Sequence, residues 1–273
     1  MKVKDLKPVG IDPLVEIIKL TLATAYIKGA KPASLLIIAR PESAKTISMA
    51  LFRKHGDVFY TNEITSKMLI DYFLPHVVKG EMKFLLIPDI LNCVEKQKAT
   101  RQSFLNTIKS GIEEGISKIQ SYHKQFESEE PVVFGLITAV TVTDFGKQRK
   151  YLESIGLLSR FIPFSYDYPM AKIQDIFDNI EKEKIATGKY DLAIKKVKKP
   201  VDIEGDDKIF ASFRMIAMEL ASDYKGYGFR FQKNLQSLAK ANAYLDGRKK
   251  VSNKDKDKIF ELSKWMNFKF NSI

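Results

Sequence analysis

The residues best suited to chemistry lie in the stretch Leu35–Thr46, which reads LLIIARPESAKT. An apolar strand runs into a short loop, and Lys45 and Thr46 then open a helix. Nucleotide-binding proteins hold phosphates this way: loop N–H groups and the lysine bind phosphate oxygens, and the hydroxyl binds Mg²⁺. Both glycines of the G-x-x-x-x-G-K-[ST] pattern are alanine here, at Ala39 and Ala44. The predicted phosphate-binding residues are Pro41, Glu42, Ser43, Ala44, Lys45 and Thr46.

Two side chains of this loop bear on whether a triphosphate fits. Ala44 is compatible with the loop if it keeps ordinary helical backbone angles. Glu42 brings a carboxylate that repels a triphosphate unless its side chain points outward. Taken alone, a Lys-Thr pair after a strand is more often incidental than functional, so the residues that follow decide the interpretation.

Acidic and hydroxyl side chains follow two further apolar stretches. Asp89 ends the stretch FLLIPD, where a Walker B aspartate would hold Mg²⁺. The next residue is Ile90 instead of the glutamate that orients an attacking water, and Glu95 is too far along the chain to replace it directly. Thr138, predicted to end the fourth strand, or Thr141 just beyond it, is a candidate to contact the γ-phosphate or hold the water.

One arginine directly precedes an apolar strand: Arg160, within the sequence GLLSRF. An arginine at a subunit edge can complete a neighbour's nucleotide site and stabilise charge during phosphoryl transfer. The alternative is a surface arginine that caps the preceding helix. The residues alone leave both interpretations open.

The elements that must position these residues alternate strands with helices. Such strands, apolar on both faces, are typical of a parallel sheet covered by helices. Strands are predicted over Ser34–Ala39, Asp57–Tyr60, Met82–Pro88, Val132–Thr138 and Phe161–Ser165, and helices over Leu14–Ile27, from Lys45 towards Lys54, and over Ala99–Ile116.

From Asp206 onward the pattern is helical only, so the fold class is α/β: a five-stranded parallel sheet followed by a small all-helical domain. The boundary falls in the charged, proline-containing linker 189–205. We therefore predict a nucleotide-binding core over 1–195 and a basic helical domain over 205–273.

Composition excludes several classes of protein. No apolar run approaches the roughly 20 residues that span a bilayer, and the start MKVKDLKPVGIDP lacks the apolar region of a signal peptide. The one cysteine, Cys93, excludes a disulfide framework and a Cys-based zinc site, which favours a reducing, cytoplasmic setting. The three histidines lie far apart and do not suggest a metal cluster.

The net charge of +12 is concentrated near the C-terminus. Residues 225–273 contain 12 Lys or Arg against 4 Asp or Glu, and KKVKKP forms a second basic run at 195–200. Such concentration favours a polyanion partner, DNA first, because phosphate contacts supply most non-specific nucleic-acid affinity. The alternatives are a solvated lysine-rich surface and an acidic protein partner.

The order of these motifs along the chain resembles that of an AAA+ ATPase, and specifically that of the motor domain of minichromosome-maintenance helicases. That family typically has Ala-Lys-Ser with a loop proline, and its arginine-finger segment reads Leu-Ser-Arg-Phe, as at 158–161 here. Its lid has an arginine, then Ala-x-Ala and Val-[ST]-x-x-Asp; this chain has Arg230, Ala241, Ala243 and VSNKD at 251–255. Related ATPase-like proteins of phages and other mobile elements are also similar, some with Pro-Glu-Ser in the loop.

The resemblance covers roughly Ile11 to Met266 and implies an AAA+ P-loop core with a helical lid, binding ATP and Mg²⁺. It implies a homo-oligomer, with a ring possible, that acts on DNA in a prokaryotic cell or a virus-infected host. The resemblance assigns Lys45, Thr46 and Asp89 to the nucleotide and Mg²⁺, and Thr138 or Thr141 to the role of sensor 1. It makes Arg160 the finger that acts on the neighbouring subunit and Arg230 sensor 2. It also implies a hairpin that begins near Glu113 and contacts DNA through Lys118, Tyr122, His123 and Lys124.

Three departures bear on activity: the catalytic glutamate and the loop glycines are absent, as is the helicases' separate amino-terminal DNA-binding domain. One interpretation is an oligomeric, DNA-associated AAA+ ATPase that hydrolyses ATP slowly. The second is a degenerate AAA+ module that does not hydrolyse ATP and serves as a DNA-binding or assembly subunit. The third is a structural protein whose basic helical domain binds an acidic partner.

Overall fold

The computed structural model describes residues 10–121, 124–182, 190–224 and 226–269. Its strands are β1 (Leu35–Ala39), β2 (Val58–Tyr60), β3 (Phe84–Ile87), β4 (Ile116–Ser121), β5 (Lys124–Val132), β6 (Gly135–Thr141) and β7 (Ile162–Tyr166). Five of them form a parallel sheet in the order β2-β3-β6-β1-β7, and β4 and β5 form a separate antiparallel hairpin. The predicted α/β class with a five-stranded parallel sheet is confirmed.

Helices account for most of the remaining described chain. β1, β3 and β7 are buried at every position, as expected for strands covered on both faces. The helices are α1 (Asp12–Ala23), α2 (Lys45–Ala50), α3 (Ser66–Met68), α4 (Leu74–Val78), α5 (Leu91–Val94), α6 (Lys98–Gly111), α7 (Val142–Ser154), α8 (Met170–Glu181), α9 (Asp207–Ser212), α10 (Arg214–Ser222), α11 (Phe229–Leu245) and α12 (Asn253–Ser263), and a π-helical turn, Leu69–Phe73, joins α3 to α4.

The β4–β5 hairpin is inserted between α6 and β6. The helix predicted to reach Ile116 ends at Gly111, and Gly115, with φ +89°, turns the chain into β4. After the hairpin the chain returns to the same point, because the Phe134 N–H donates to the Gly111 carbonyl over 3.1 Å. The hairpin therefore projects without interrupting the sheet.

The fourth strand of the sheet is displaced along the sequence from its predicted position. We predicted Val132–Thr138, but Val132 ends β5 and β6 runs over Gly135–Thr141. Gly135 pairs with Phe84, and a Cβ on it would lie 2.2 Å from the Phe84 ring, so only glycine fits where β6 enters the sheet. The prediction was wrong because two apolar runs, one from the hairpin and one from the sheet, adjoin without a polar break.

The C-terminal helices α9 to α12 pack on the sheet domain through a shared core. α11 lies against α1 and against the 3-10 turn Leu158–Arg160, and buried apolar residues form one continuous cluster across both parts. A helical C-terminal part is therefore present, while the division into 1–195 and 205–273 stays a prediction.

The linker between the two parts is fastened to the sheet by an ion pair. Lys196 Nζ lies 2.6 Å from Asp57 Oδ1, and the Tyr26 hydroxyl donates to the same carboxylate. Burial opposes the charge on Asp57, but these hydrogen bonds prevail and hold the pKa of its carboxyl below the usual value. Further along, the Val201 N–H donates to the Tyr26 carbonyl over 2.7 Å.

The VSNKD segment forms the start of α12. Ser252 and Asp255 make a reciprocal capping box, and Arg248 donates to both carboxylate oxygens of Asp255 over 2.6 and 2.7 Å. Asp255 is fully buried, and Asn242 of α11 also donates to it, over 2.7 Å. This motif therefore joins α11 to α12 and has a structural role in the fold.

We predict that Asp255→Ala lowers the free energy of unfolding by about 3–5 kcal/mol, because it leaves the Arg248 guanidinium without its buried partner. Equilibrium urea unfolding at neutral pH measures the change. Asp257→Ala, at an exposed carboxylate of the same helix, is the control and is expected to change stability by less than about 0.5 kcal/mol. Equal effects of the two substitutions would contradict the role assigned to Asp255.

The same pair predicts a pH dependence. Burial opposes the charge on Asp255, but the Arg248 hydrogen bonds prevail and hold its pKa below 3.8, its usual value. The contribution of Asp255 to the free energy of unfolding is therefore fully present above pH 3.8 and is lost as the pH falls through the lower pKa that Asp255 has in the folded state. The stability difference between wild type and Asp255→Ala is expected to shrink in urea titrations below that pH.

Candidate functional site

The carboxyl edge of the parallel sheet brings the predicted phosphate site together. The loop 40–44 follows β1, Asp89 follows β3, and Thr141 ends β6, so all three lie at the same edge. β1 pairs with β6 on one side and β7 on the other, although the chain leaves β1 for the distant edge strand β2. A crevice outside such a switch point is where open α/β sheets bind ligands.

The backbone of the loop is left-handed at two positions. Glu42 has φ +60°, and Ala44 has φ +64° and ψ +14°. Ala44 therefore does not meet the condition of ordinary helical angles: a glycine-like conformation is kept with an alanine, at a cost of roughly 1–2 kcal/mol. The side chain of Glu42 is exposed, as a triphosphate in the loop requires.

Lys45 spans this loop. Its Nζ donates to the carbonyls of Ala39 over 2.9 Å and Arg40 over 2.5 Å and to Ser43 Oγ over 3.2 Å. Burial lowers the pKa of Lys45, while the nearby carboxylate of Asp89 acts in the opposite direction. A cation is thus held at the mouth of the loop by oxygens that an incoming phosphate can replace.

Two tyrosines, one at the end of β7 and one just after it, hold the loop in place. The hydroxyls of Tyr166 and Tyr168 both donate to the Ser43 carbonyl, the second over 3.2 Å. Burial raises the pKa of Tyr168 to about 12, so it remains a donor at neutral pH. Sequence reasoning missed both residues, and the only signal was the run of tyrosines at the end of a predicted strand.

Asp89, Thr46 and Thr141 lie at this edge as predicted, whereas Thr138 does not. Asp89 is partly buried and accepts from the Leu91 N–H over 3.0 Å, and Thr46 is exposed at the start of α2. Thr138 does not end its strand: it is fully buried within β6 and donates to the Ile87 carbonyl over 2.8 Å. Thr141 ends the strand, where it caps α7 by accepting from the Asp144 N–H.

An apolar cavity of about 190 Å³ lies beside the loop. The buried ring of Tyr166, which also anchors Ser43, forms part of its wall. The other walls come from the start of α1, the end of β7 and the C-terminal part, with Ile11, Leu14, Phe164, Pro169 and Trp265 among the lining residues. It is a largely apolar space next to the loop 40–44.

The two predicted arginines lie at the opposite, amino edge of the sheet. Arg160 precedes β7, and its guanidinium donates to the Gly156 carbonyl over 2.6 Å and to Glu114 over 2.7 Å. Burial opposes the charge on Glu114, but the Arg160 hydrogen bond prevails and keeps the pKa of its carboxyl below the usual value. Arg160 is therefore held by an acid of the turn that precedes β4.

Arg230, near the start of α11, joins the same cluster. It donates to Ser159 Oγ over 3.2 Å, and its Nε lies 3.3 Å from Glu113. Gly228 makes this possible: its φ is +81°, and a Cβ there would lie 2.6 Å from the Ala217 carbonyl. The two arginines thus share one side of the molecule, roughly 15 Å from the phosphate loop by the length of β1.

A basic cavity of about 330 Å³ opens next to this cluster. Arg160 and Arg230 line it together with Lys31, Lys233 and Lys240, and Glu113 is the one carboxylate among the described lining residues. The charge and position of this cavity suit an anionic group presented from outside the chain.

The hairpin residues predicted to contact DNA are only partly within the described structure. Lys118 is exposed on β4 and pairs with Glu127 over 3.1 Å, and Lys124 begins β5. Tyr122 and His123 lie outside the described residues. The described charged side chains of β5, Glu127, Glu129 and Glu130, are all acidic, so this part of the hairpin is not a basic surface.

Within the described residues, no cluster of three or more His, Cys, Asp or Glu side chains is arranged to hold a metal ion. A Mg²⁺ that arrives with a nucleotide needs less from the protein, since it typically takes one or two carboxylates and the phosphates themselves. Asp89 and the exposed Thr46 hydroxyl fit that donor set. Within the same residues, no helix has the length and apolarity to cross a membrane.

Comparison with known proteins gives no assignment, because the chain matches no protein-family model and no curated protein. The function is therefore inferred from the geometry of the two sheet edges.

We predict that Ala44→Gly is neutral or stabilising, by up to about 1 kcal/mol, because relief of the left-handed strain exceeds the added unfolded-state entropy. Ala50→Gly, at a right-handed position of the same helix, is the control and is expected to lose about 1 kcal/mol. Thermal and urea unfolding measure both. A loss at position 44 equal to that at position 50 would show that the loop geometry is misassigned.

Proposed function

We propose that this chain is an AAA+-type P-loop ATPase that binds Mg-ATP at the carboxyl edge of its sheet. The observation that carries the proposal is the loop itself. A left-handed turn leads into a helix, and Lys45 lies across it on three oxygens, where phosphate oxygens would take their place.

The sheet supports this proposal. Along the chain, the five strands of the sheet follow one another as β1, β2, β3, β6 and β7. In the sheet order β2-β3-β6-β1-β7, the strand that leads into the loop, β1, lies between the fourth of these, β6, and the last, β7. Asp89 then follows the strand that neighbours β6 and comes close enough to Lys45 to influence its pKa. Such an aspartate is suited to bind the Mg²⁺ of a bound nucleotide.

The apolar cavity suits the base of the nucleotide. It adjoins the loop through Tyr166, and the aromatic residues Phe164 and Trp265, whose rings stack on each other, give it an apolar lining suited to a planar base. A ligand with its phosphates at Lys45 and its base in this cavity spans the crevice outside the ends of β1 and β7. We assign ATP on the resemblance described above, since the cavity itself does not select among bases.

The arginines extend the proposal to an oligomer. Arg160 and Arg230 are too far from the phosphate loop of their own chain to reach a nucleotide bound there. In a head-to-tail assembly, both face the loop of the next copy. There they neutralise charge that develops on the transferred phosphoryl group, a contribution of roughly 10³–10⁵ in rate for an arginine finger.

The chemistry assigned to this chain's residues is positioning and charge stabilisation. Lys45 and the loop N–H groups hold the phosphates, Thr46 and Asp89 would hold Mg²⁺, and Thr141 is the hydroxyl at the strand end. Mg²⁺, when bound, supplies charge neutralisation between the β- and γ-phosphates. Ile90 is buried where a glutamate would orient the water, so slow hydrolysis is expected.

Ile90 also favours a second candidate function. With its apolar side chain only 3% exposed, no carboxylate stands next to Asp89 in the sequence to activate water, so the protein would bind ATP without hydrolysing it. Such a protein would serve as a nucleotide-gated assembly or DNA-binding module.

Nucleotide binding and turnover with Mg²⁺, with and without single-stranded DNA, distinguish these functions. Lys45→Ala is expected to abolish both binding and turnover, because the cation that spans the loop is removed. Lys54→Ala, an exposed lysine shortly after α2, is the control and should change neither. Binding without turnover in the wild type would select the non-hydrolysing candidate, and no binding at all would refute both.

A mixing experiment tests the arginines. Arg160→Ala is expected to abolish turnover and leave nucleotide affinity nearly intact, because the finger acts on the neighbouring copy. An equimolar mixture of Lys45→Ala and Arg160→Ala is then expected to restore turnover. Only interfaces that combine the intact Lys45 of one variant with the intact Arg160 of the other are active, and random head-to-tail assembly forms these at up to roughly a quarter of all interfaces. No recovery on mixing, or a large loss of affinity in Arg160→Ala alone, would contradict action in trans.

DNA is the proposed polyanion partner, and we assign its contacts to exposed lysines of the C-terminal part. Lys249, Lys254 and Lys264 are exposed and have no carboxylate within ion-pair distance in the described structure. In contrast, Lys250 pairs with Glu204 over 2.6 Å. The first three are therefore free to neutralise phosphates.

Single-stranded DNA affinity is expected to fall steeply with salt, by roughly 10³–10⁵ between 50 and 200 mM if six to ten phosphates are contacted. The triple variant Lys249→Ala, Lys254→Ala, Lys264→Ala should flatten the log–log slope by about 0.7 for each phosphate that is no longer neutralised. Lys250→Ala is the control and should leave the slope unchanged. A flat salt dependence in the wild type would favour an acidic protein partner.

A further inference from the structure

The helix after β7, α8, exposes an apolar stripe. Its apolar residues recur at helical spacing, which normally marks a face packed against a core. None of the twelve residues of α8 is buried in the described structure, and Met170, Phe177 and Ile180 are 78%, 55% and 65% exposed. We call this set the α8 stripe: Met170, Ile173, Ile176, Phe177 and Ile180.

A second exposed apolar surface lies on the C-terminal helices. Met215 and Met218 of α10 are 81% and 59% exposed, and Tyr227 and Phe229 are 84% and 72% exposed. The two aromatic rings stack 5.6 Å apart, and Gly228 between them lies against Ala217, which places the pair beside α10. We call these four residues the C-terminal patch.

The two surfaces lie at opposite edges of the sheet. α8 starts shortly after Tyr166, whose hydroxyl holds the phosphate loop at the carboxyl edge. The C-terminal patch includes Phe229, the neighbour of Arg230, which lies at the amino edge with Arg160. A contact that joins the two surfaces therefore also brings the arginines of one copy towards the phosphate loop of the next.

Their charges are complementary. The polar positions of α8 include three acids, Asp175, Asp178 and Glu181, against Lys172 and Lys182, and Lys172 is already paired with Asp175 over 3.6 Å. The residues around the C-terminal patch carry a small positive excess, since Arg214 and Lys233 outnumber Glu219. Arg230 is already paired with Glu113, and Asp223 with Lys269. An acidic, apolar helix and a basic, apolar patch are suited to one another.

We propose that the α8 stripe of one copy docks on the C-terminal patch of a second copy, in a head-to-tail contact. The occupant is this same chain, because both halves of the contact are present on it and are complementary in charge. Such a contact uses two different surfaces, so it repeats from copy to copy and closes a ring or extends a filament. The contact itself does not depend on the proposed function. Only the statement that this contact completes a nucleotide site rests on the proposed function.

Two variants test the contact, with mass measured by sedimentation. Phe177→Asp removes the stripe and Met218→Asp removes the patch, so each alone is expected to be monomeric where the wild type forms larger species. Because each variant keeps one intact surface, their equimolar mixture is expected to form one-to-one dimers and nothing larger. Ala171→Asp adds the same charge at an exposed position on the opposite side of α8 and is expected to assemble as wild type does.

Several outcomes would overturn the proposal: a wild-type monomer at all concentrations, an unchanged mass for Phe177→Asp, or a mixture that stays monomeric. A lower unfolding temperature of Phe177→Asp at unchanged mass would show that the stripe packs against its own chain, and would also overturn it. Nucleotide binding and turnover of the same samples keep the two proposals separable. Assembly as described without nucleotide binding refutes only the ATPase, and turnover with unchanged mass in Phe177→Asp refutes only the contact.

Discussion

The common direction of the five central strands is the constraint on which the rest of this structure depends. Because every strand runs the same way, all strand ends collect at one edge and all strand starts at the other. The loop 40–44 and Asp89 lie at the first edge, and Arg160 and Arg230 lie at the second. No local rearrangement of side chains brings the two sets together within one chain, so a site that uses both needs a second copy.

The loop 40–44 shows how tertiary contacts keep a backbone that the local sequence disfavours. Glycine would reach the angles of Ala44 without strain, yet the loop holds them with an alanine. Tyr166 and Tyr168 both bind the Ser43 carbonyl, and Lys45 binds carbonyls on the other side of the turn. These contacts come from the adjacent strand β7 and from the helix start, so the sheet itself fixes the shape of the loop.

The arginines at the amino edge are already occupied within the monomer. Glu113 and Glu114 hold them in place and neutralise them, which fixes their direction and offsets the cost of clustering two guanidinium groups beside three lysines. The Arg160 side chain is only 10% exposed, so its pairing with Glu114 also stabilises the turn before β4. Arg230 is 40% exposed and is the more accessible of the two arginines.

The sequence by itself determined the α/β class, the five-stranded parallel sheet and the place of Lys45 at its carboxyl edge, because apolar runs and their spacing report burial directly. It did not determine where β6 begins, since hairpin and sheet contribute adjoining apolar runs, and so it placed Thr138 at a strand end instead of inside the sheet. It did not reveal the left-handed Ala44, the tyrosine anchors, or the shared side of Arg160 and Arg230. Those features depend on contacts between residues far apart in the chain. The pairing of β7 with β1 decided the shape of the loop, and the packing of α11 on the turn before β7 brought the two arginines together.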